Sequence, residues 1–205
     1  PGSGETFATV PCGDERDVEA AVAAARAAFD SGVWSEKSPS ERAQIIIRFA
    51  DLVEAASGQI TMADSRSMGG TPSWVGGGLW VAANTMRNIA WYAANRFVWE
   101  EEVPFSGNIY AFGGNVLRRE PIGVCAAIAP WNAPYMMAPW KLAHALAMGN
   151  TIVLKPASTT PLSALIMAGL ADQAGFPKGV VNVVTGPGAS MGEALCLHPK
   201  VDKVS

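Results

Sequence analysis

The sequence predicts an α/β fold: a parallel sheet with helices on both faces, preceded by a run of helices and a β-hairpin arm. Two observations carry this. First, residues 122–129 (IGVCAAIA), 150–155 (NTIVLK) and 179–186 (GVVNVVTG) are short apolar runs that alternate with helix-forming segments at 134–148, 161–174 and 189–197. Strands buried on both faces read as continuous apolar runs, and strands alternating with helices build a parallel sheet. Second, the pattern before residue 122 differs. It is helical up to about Phe97 and then, over 103–120 (VPFSGNIYAFGGNVLRRE), β-forming residues are separated by Ser-Gly and Gly-Gly, which are hairpin signals.

Each element has a local cause. Asp14 precedes DVEAAVAAARAAF, an alanine-rich amphipathic helix. Ser38-Pro39-Ser40-Glu41 places proline at the first helical position and spaces Ser38 and Glu41 as a capping box. The helix it opens lines up Ile45, Ile46, Phe49, Leu52 and Val53. Thr71-Pro72 breaks the chain, and 74–97 reads as a long helix weakened by Gly76, Gly77 and Gly78, with Leu79, Met86, Ile89 and Tyr92 as its buried stripe. The last residues, VDKVS, read as the start of a further strand, and both ends look cut.

Composition narrows the function classes. Of 205 residues, 49% are hydrophobic and 16% charged, so a substantial core is expected. A net charge of −3 without a basic block argues against nucleic acid as a partner. No apolar run approaches the roughly 18 residues of a membrane span, because Pro130, Asn132 and Pro134 interrupt the most apolar stretch. No signal peptide is read at the start of the chain. Cys12, Cys125 and Cys196 are too few and scattered for a disulfide framework or a zinc site, and His144 and His198 have no metal-ligand spacing. A reducing, cytoplasmic setting is expected.

The chemistry concentrates in residues 121–158. Pro130-Trp131-Asn132 ends the first apolar strand between two stiffening prolines. A rigidly held amide there can donate a hydrogen bond to a developing oxyanion; spacing alone favours the other role, a cap for the following helix. Lys155 ends the next strand, before Pro156, and such a lysine is more often a snorkelling end residue than a ligand contact. Gly186, Gly188 and Gly192 open a helix after the third strand, where glycines let a backbone approach a phosphate or simply make a tight turn. Lys141 lies on an apolar helix and needs a partner or water. Cys125, in a buried strand, is a poor nucleophile, and Cys196 does not face His198 two residues on.

These residues, in this order, resemble the aldehyde dehydrogenase superfamily: RREPIGVCAAIAPWN, APWKLAHALAMGNTIVLKPAS and GVVNVVTGPG are its motifs. The resemblance implies a Rossmann-like cofactor domain that is incomplete here. It divides the chain into a helical part of that domain (1–102), a β-arm for oligomerisation (103–121) and the first half of the dinucleotide-binding fold (122–205). It makes Asn132 an oxyanion donor and Lys141 an accessory residue near the reacting centre. Cofactor contacts fall on Ala129, Pro130, Trp131, Asn132, Lys155, Pro156, Ala157, Ser158, Gly188 and Gly192, with Lys155 at the adenosine ribose. NAD or NADP would be the cofactor, a small-molecule aldehyde the substrate, and a homodimer or homotetramer the assembly. The mechanism it implies joins a cysteine thiolate to the aldehyde, passes hydride to the cofactor, and hydrolyses a thioester with a glutamate base. Both cysteine and glutamate would lie beyond Ser205, so residues 1–205 alone are expected to be inactive. A non-catalytic nucleotide-binding or assembly fragment, or a relative that passes the acyl group to coenzyme A, are the alternatives. Three departures stand out. Ser158 replaces a glutamate usual in NAD-preferring members, Ala133 replaces a larger residue, and MGGTPSW replaces a T-G-K-P-type turn.

Overall fold

In a computed structural model, residues 2–103 and 114–205 of the chain are described. Four helices come first: α1 (Glu15–Asp30), α2 (Pro39–Ala55), α3 (Ser57–Met68) and α4 (Pro72–Asn95). Two of them start as the sequence predicts. Asp14 and Asp17 form a capping box at α1. At α2 the Ser38 hydroxyl accepts from the Glu41 amide at 3.2 Å while Glu41 accepts from the Ser38 amide at 2.8 Å. α3 is a helix with no start signal or apolar stripe to mark it in the sequence. Its sequence, SGQITMADSRSM, is mostly polar, no side chain caps it, and it stops at Gly69 in the left-handed region with φ 84°. In α4, Leu79 and Met86 are buried as expected, but Tyr92 is exposed: it has rotated off the buried face to meet Phe97 edge-on.

The glycines of α4 have different roles. A Cβ on Gly78 would lie 2.3 Å from the ring of Tyr135, whereas one on Gly77 would meet nothing within 4 Å. Gly78 therefore lets the buried Tyr135 ring lie directly on the helix backbone. Gly78→Ala should destabilise by about 1–2 kcal/mol, because overpacking outweighs the gain in helix propensity. Gly77→Ala should stabilise by about 0.5–1 kcal/mol. Urea midpoints of the two variants check this, and equal shifts would contradict it.

The arm begins earlier than expected. Its strands, β1 (Glu100–Val103) and β2 (Asn115–Arg118), pair antiparallel with Glu100 opposite Arg118 and Val103 opposite Asn115. Three consecutive glutamates hide the first strand from a hydrophobic pattern, and cross-strand charge explains them: Arg118 meets Glu100 at 2.8 Å and Arg119 meets Glu101 at 3.2 Å. The Ser106-Gly107 turn signal, and Gly113 of the second, lie outside the described residues.

The remaining elements are β3 (Val124–Ile128), α5 (Pro134–Ala147), β4 (Thr151–Lys155), α6 (Leu162–Ala174), β5 (Val181–Val183), α7 (Gly188–Leu197) and β6 (Lys203–Val204). The four strands form a parallel sheet in the order β5-β4-β3-β6. Alternation along β3 separates two cores. Cys125 and Ala127 join α2, α5 and α6, with α4 behind them, while Val124 and Ala126 join α1 and α7. The α/β fold with helices on both faces is thus as predicted.

The helix ends that point away from the site are satisfied by long side chains. Trp34 Nε1 donates to Leu146 O at 3.1 Å and Arg42 Nε to Ala147 O at 3.2 Å, both at the carboxyl end of α5. Arg48 does the same for Ala174 at the end of α6. Asn150 then joins α5 to β3: its Oδ1 accepts from the Ile122 and Gly123 amides at 2.7 and 3.0 Å, and its amide donates to Ala145 O. Among the described residues, no helix is long and apolar enough to cross a membrane and no group of three or more metal-ligating side chains gathers.

Candidate functional site

The chain builds β3, then β4 and β5 to one side, and returns to place β6 on the other. The order therefore reverses at β3. In open α/β sheets the crevice outside the carboxyl ends of the strands, at such a reversal, is where ligands bind. Pro130-Trp131-Asn132 begins two residues after the end of β3, at this point.

The strand ends are held in register there. Ile128 pairs with Lys155 of β4, and the Ala129 amide donates to Lys155 O at 3.0 Å. On the other side the Ile128 amide donates to Ser205 O at 2.9 Å. Ala129 is buried beneath the turn, while Pro130, Trp131 and Asn132 are exposed beyond it. The residue that caps α5 is Ala133, with no side-chain hydrogen bond, and Pro134 occupies the first helical position. The capping role that spacing favoured for Asn132 is therefore wrong. The prolines on either side fix the turn without it, and its amide makes no hydrogen bond to another described side chain or backbone group.

Lys155 also departs from the snorkelling expectation. It is 1% exposed, and its Nζ donates to Pro156 O at 3.0 Å. Burial pulls its pKa below the usual lysine value. A lysine ammonium has three donors, and only one is used among the described residues. Pro156 is buried, Ala157 half-buried and Ser158 exposed, so the strand end opens progressively to solvent.

Gly188 is the first residue of α7 and is open around its Cα; a Cβ on Gly192 would lie 3.9 Å from Ile128 Cδ1. The first turns of α7 thus rest on the carboxyl end of β3. Gly186, by contrast, approaches Gly13 and Met191 so closely that its role is the tight turn. No side chain caps α7, which leaves its first amides available to an acceptor.

Lys141 lies about two turns along α5 and donates to Ser205 Oγ at 3.0 Å. Partial burial lowers its pKa. It borders a cavity of about 650 Å³ between α5 and the sheet, lined by Cys125, Trp140, His144, Ile152 and Ser205 among others. The structure thus gathers Ala129–Asn132, Lys155–Ser158 and Gly192 around neighbouring strand ends and puts Lys141 on the flank toward β6. Asn132 and Lys155 do not line that cavity.

The other candidates are occupied or inert. Burial pushes the Cys125 thiol up to about 11. His198 bridges Glu19 at 2.8 Å and accepts from the Lys200 amide, so it is not available to Cys196. His144 bonds Trp140 O through Nδ1 and stacks on the Trp140 ring.

The whole chain, residues 1–205, matches the model of the aldehyde dehydrogenase family. The chain belongs to the aldehyde dehydrogenase family. It is 42% identical over its full length to a putative aldehyde dehydrogenase, DhaS, of Bacillus subtilis and 42% identical to phenylacetaldehyde dehydrogenase of Pseudomonas fluorescens. It spans 40% and 41% of the lengths of those two relatives. Among solved structures, it superposes on Staphylococcus aureus betaine aldehyde dehydrogenase, in complex with NAD+, with a TM-score of 0.92 at 31% identity, over 98% of this chain and 39% of that one. On a putative aldehyde dehydrogenase of Burkholderia cenocepacia the TM-score is 0.91 at 35% identity, over 98% and 41%.

Proposed function

We propose that this chain is the cofactor-side portion of an NAD(P)-dependent aldehyde dehydrogenase that oxidises an aldehyde to a carboxylic acid. The observation that supports this most is the placement of Asn132 and Lys155 at the carboxyl ends of two paired strands where the strand order reverses. The S. aureus relative's complex with NAD+ adds support. The residues fit a dinucleotide. Lys155 has unused donors in a buried position for ribose hydroxyls, and the uncapped start of α7, at Gly188, suits a phosphate. When bound, the nicotinamide supplies a hydride acceptor. This chain's own parts are to hold the cofactor through 129–132, 155–158, Gly188 and Gly192, to donate from Asn132 Nδ2 to the substrate oxygen as it becomes negative, and to place the Lys141 ammonium on the same side of the sheet. Cys12, Cys125 and Cys196 are not the nucleophile in this reading. Nucleophile and base belong to the part of the protein that corresponds to the rest of the relatives' length. Assay of the full-length protein with NAD+ and NADP+ tests the reading, and an absence of aldehyde-dependent reduction of either would refute it. Formation of acid without coenzyme A separates it from an acylating relative.

Two residues tune this proposal. Ser158 is exposed and uncharged, so nothing there repels a 2′-phosphate, and NADP is accepted beside NAD. Ser158→Glu should lower kcat/KM for NADP about tenfold relative to NAD, the effect of roughly 1.4 kcal/mol of new repulsion. An unchanged ratio would rule this out. Ala133, beside Asn132, leaves room for a bulky aldehyde, and the relative named for phenylacetaldehyde supports a ring-bearing substrate. Ala133→Phe should cut kcat/KM for phenylacetaldehyde about tenfold, with acetaldehyde within about twofold; parallel losses would show that pocket width is not the cause. The division into 1–102, 103–121 and 122–205, self-association through the β1–β2 arm as a dimer or tetramer, and a cytoplasmic setting complete the proposal. Light scattering of the full-length protein with and without 103–118 tests the arm.

A further inference from the structure

Gly76, Gly77 and Gly78 follow one another inside α4, and one of them has a neighbour that needs the missing side chain. A Cβ on Gly76 would make ordinary contact with Thr61 of α3, and one on Gly77 would meet nothing within 4 Å. A Cβ on Gly78 would lie 2.3 Å from Cε2 of Tyr135 and 3.2 Å from its Cδ2 and Cζ, so one edge of the ring rests on the helix backbone. Tyr135 is 2% exposed and shares a core with Val75 and Leu79 of α4. Ordinary contact begins near 3.4 Å, so an added methyl group would drive the ring back by more than an ångström into packed side chains.

Tyr135 is in the first turn of α5, three residues after Asn132. The backbone between them is stiff. Pro134 fixes its own φ, and Ala133 O accepts from the Met136 and Met137 amides at 3.1 and 2.9 Å. Asn132 is exposed and is held by no hydrogen bond of its side chain among the described residues. Its place is inherited from the end of β3 on one side and from the first turn of α5 on the other, and no side chain caps that turn. Among residues 133–137, Tyr135 is the largest side chain that is buried.

We propose that Tyr135 is a positioning residue for Asn132: its ring, seated on the bare backbone at Gly78, sets the spacing between α4 and the front of α5 and so the place of the Trp131-Asn132 turn. The catalytic consequence rests on the reading of Asn132 given above; the seating of the ring does not. A tyrosine ring is rigid and has two side-chain torsions, so once buried it acts as a spacer of fixed length. Cα–Cβ bonds in a helix tilt toward its amino end, so a push on the ring is delivered toward the turn. A preorganised donor is sensitive to such a push, since misplacing a reacting group by about 1 Å costs up to roughly 10² in rate. The donor acts on charge that develops during the reaction, so the loss falls on kcat rather than on substrate binding.

The test is steady-state kinetics beside hydrogen exchange of the segment 129–137 in the full-length protein. The variants are Gly77→Ala, Gly78→Ala, Tyr135→Phe, Tyr135→Ala and the double variant Gly78→Ala/Tyr135→Ala. Gly78→Ala and Tyr135→Ala should each lower kcat about tenfold or more, with KM for aldehyde and NAD(P) within about threefold. Each should speed exchange of 129–137 at least about fivefold. Tyr135→Phe, which keeps the ring, and Gly77→Ala, which meets nothing, should leave both readouts within about twofold. The double variant should lose no more than Tyr135→Ala alone, because the added methyl group then enters space that the ring has left. Equal kcat in Gly78→Ala and Gly77→Ala, or losses that simply multiply in the double variant, would overturn the inference. If Gly78→Ala fails to fold, Tyr135→Phe against Tyr135→Ala decides, and equal kcat and exchange in that pair would overturn it too. If exchange behaves as expected and even wild type oxidises no aldehyde, the seating of the ring stands and the enzymatic reading fails.

Discussion

In the full-length protein, Asn132→Ala is expected to lower kcat for aldehyde oxidation by about 10²–10³, the usual loss when one preorganised oxyanion donor is removed. The expectation follows from what Asn132 is not doing. It does not cap α5, since Ala133 holds that position, and it is exposed beyond β3 on a turn fixed by Pro130 and Pro134. Its amide therefore costs little to hold in place and is free to meet a charge that develops on the substrate. The KM for aldehyde and the affinity for NAD(P) should change by no more than a few-fold, because the contact forms fully only as charge develops. Thermal stability should also stay within about 0.5 kcal/mol, as for a surface change that breaks no cap. Asn132→Asp should be at least as damaging, since a carboxylate repels the oxyanion. Steady-state kinetics beside a melting curve decide the matter. A drop in stability of about 1 kcal/mol with kcat intact would mean that Asn132 supports the helix after all.

How legible this was depended on whether the cause was local. The capping box at Ser38, the helix that follows Asp14 and the strands ending at Ile128 and Lys155 are set by neighbours in sequence, and they formed where expected. The reversal of strand order at β3 followed from VDKVS reading as a strand only once its pairing with Cys125 and Ala126 was known. What stayed hidden is set by distant residues. α3 has almost no apolar stripe, and Ile60, Thr61 and Asp64 are buried because α4, α5 and α6 happen to close over them. β1 is three glutamates and a valine, and its pairing shows only in the partner strand, where Arg118 stands opposite Glu100 and the next residue, Arg119, reaches Glu101. Lys155 was expected to reach water, but the backbone of Pro156 receives its ammonium inside the protein. The motif residues proposed for the site are visible in the sequence, whereas Gly78, which meets the Tyr135 ring, and Arg42, which bonds the end of α5, carry no signal a single sequence makes visible.

Arg42→Ala should be the most destabilising single change among the polar residues discussed, by about 2–4 kcal/mol, from the buried carbonyls it leaves without a donor. Arg42 is 3% exposed and has no carboxylate partner among the described residues; burial lowers its pKa, and Glu41 opposes this only in part. Its charge is carried instead by backbone oxygens and a ring. Nε donates to Ala147 O at 3.2 Å, Nη1 to Ser35 O at 3.2 Å and also to Lys37 O, and the guanidinium lies 5.1 Å from the centre of the Trp99 ring. Ala147 is the last residue of α5, so the guanidinium also sits at the negative end of that helix dipole. One side chain thus ties together the loop after α1, the start of the hairpin arm and the rear of the helix whose front carries Asn132. Truncation leaves three carbonyls to find water in a packed junction, at roughly 1–3 kcal/mol for each that fails. Arg42→Lys should recover less than half, because a single ammonium cannot serve three acceptors from a planar fork or stack on Trp99. The measurement is the denaturation midpoint of the full-length protein. A loss below about 1 kcal/mol in Arg42→Ala, or full recovery in Arg42→Lys, would mean that water replaces the guanidinium without cost and that packing on the sheet, Trp34 and Asn150 suffice to hold α5.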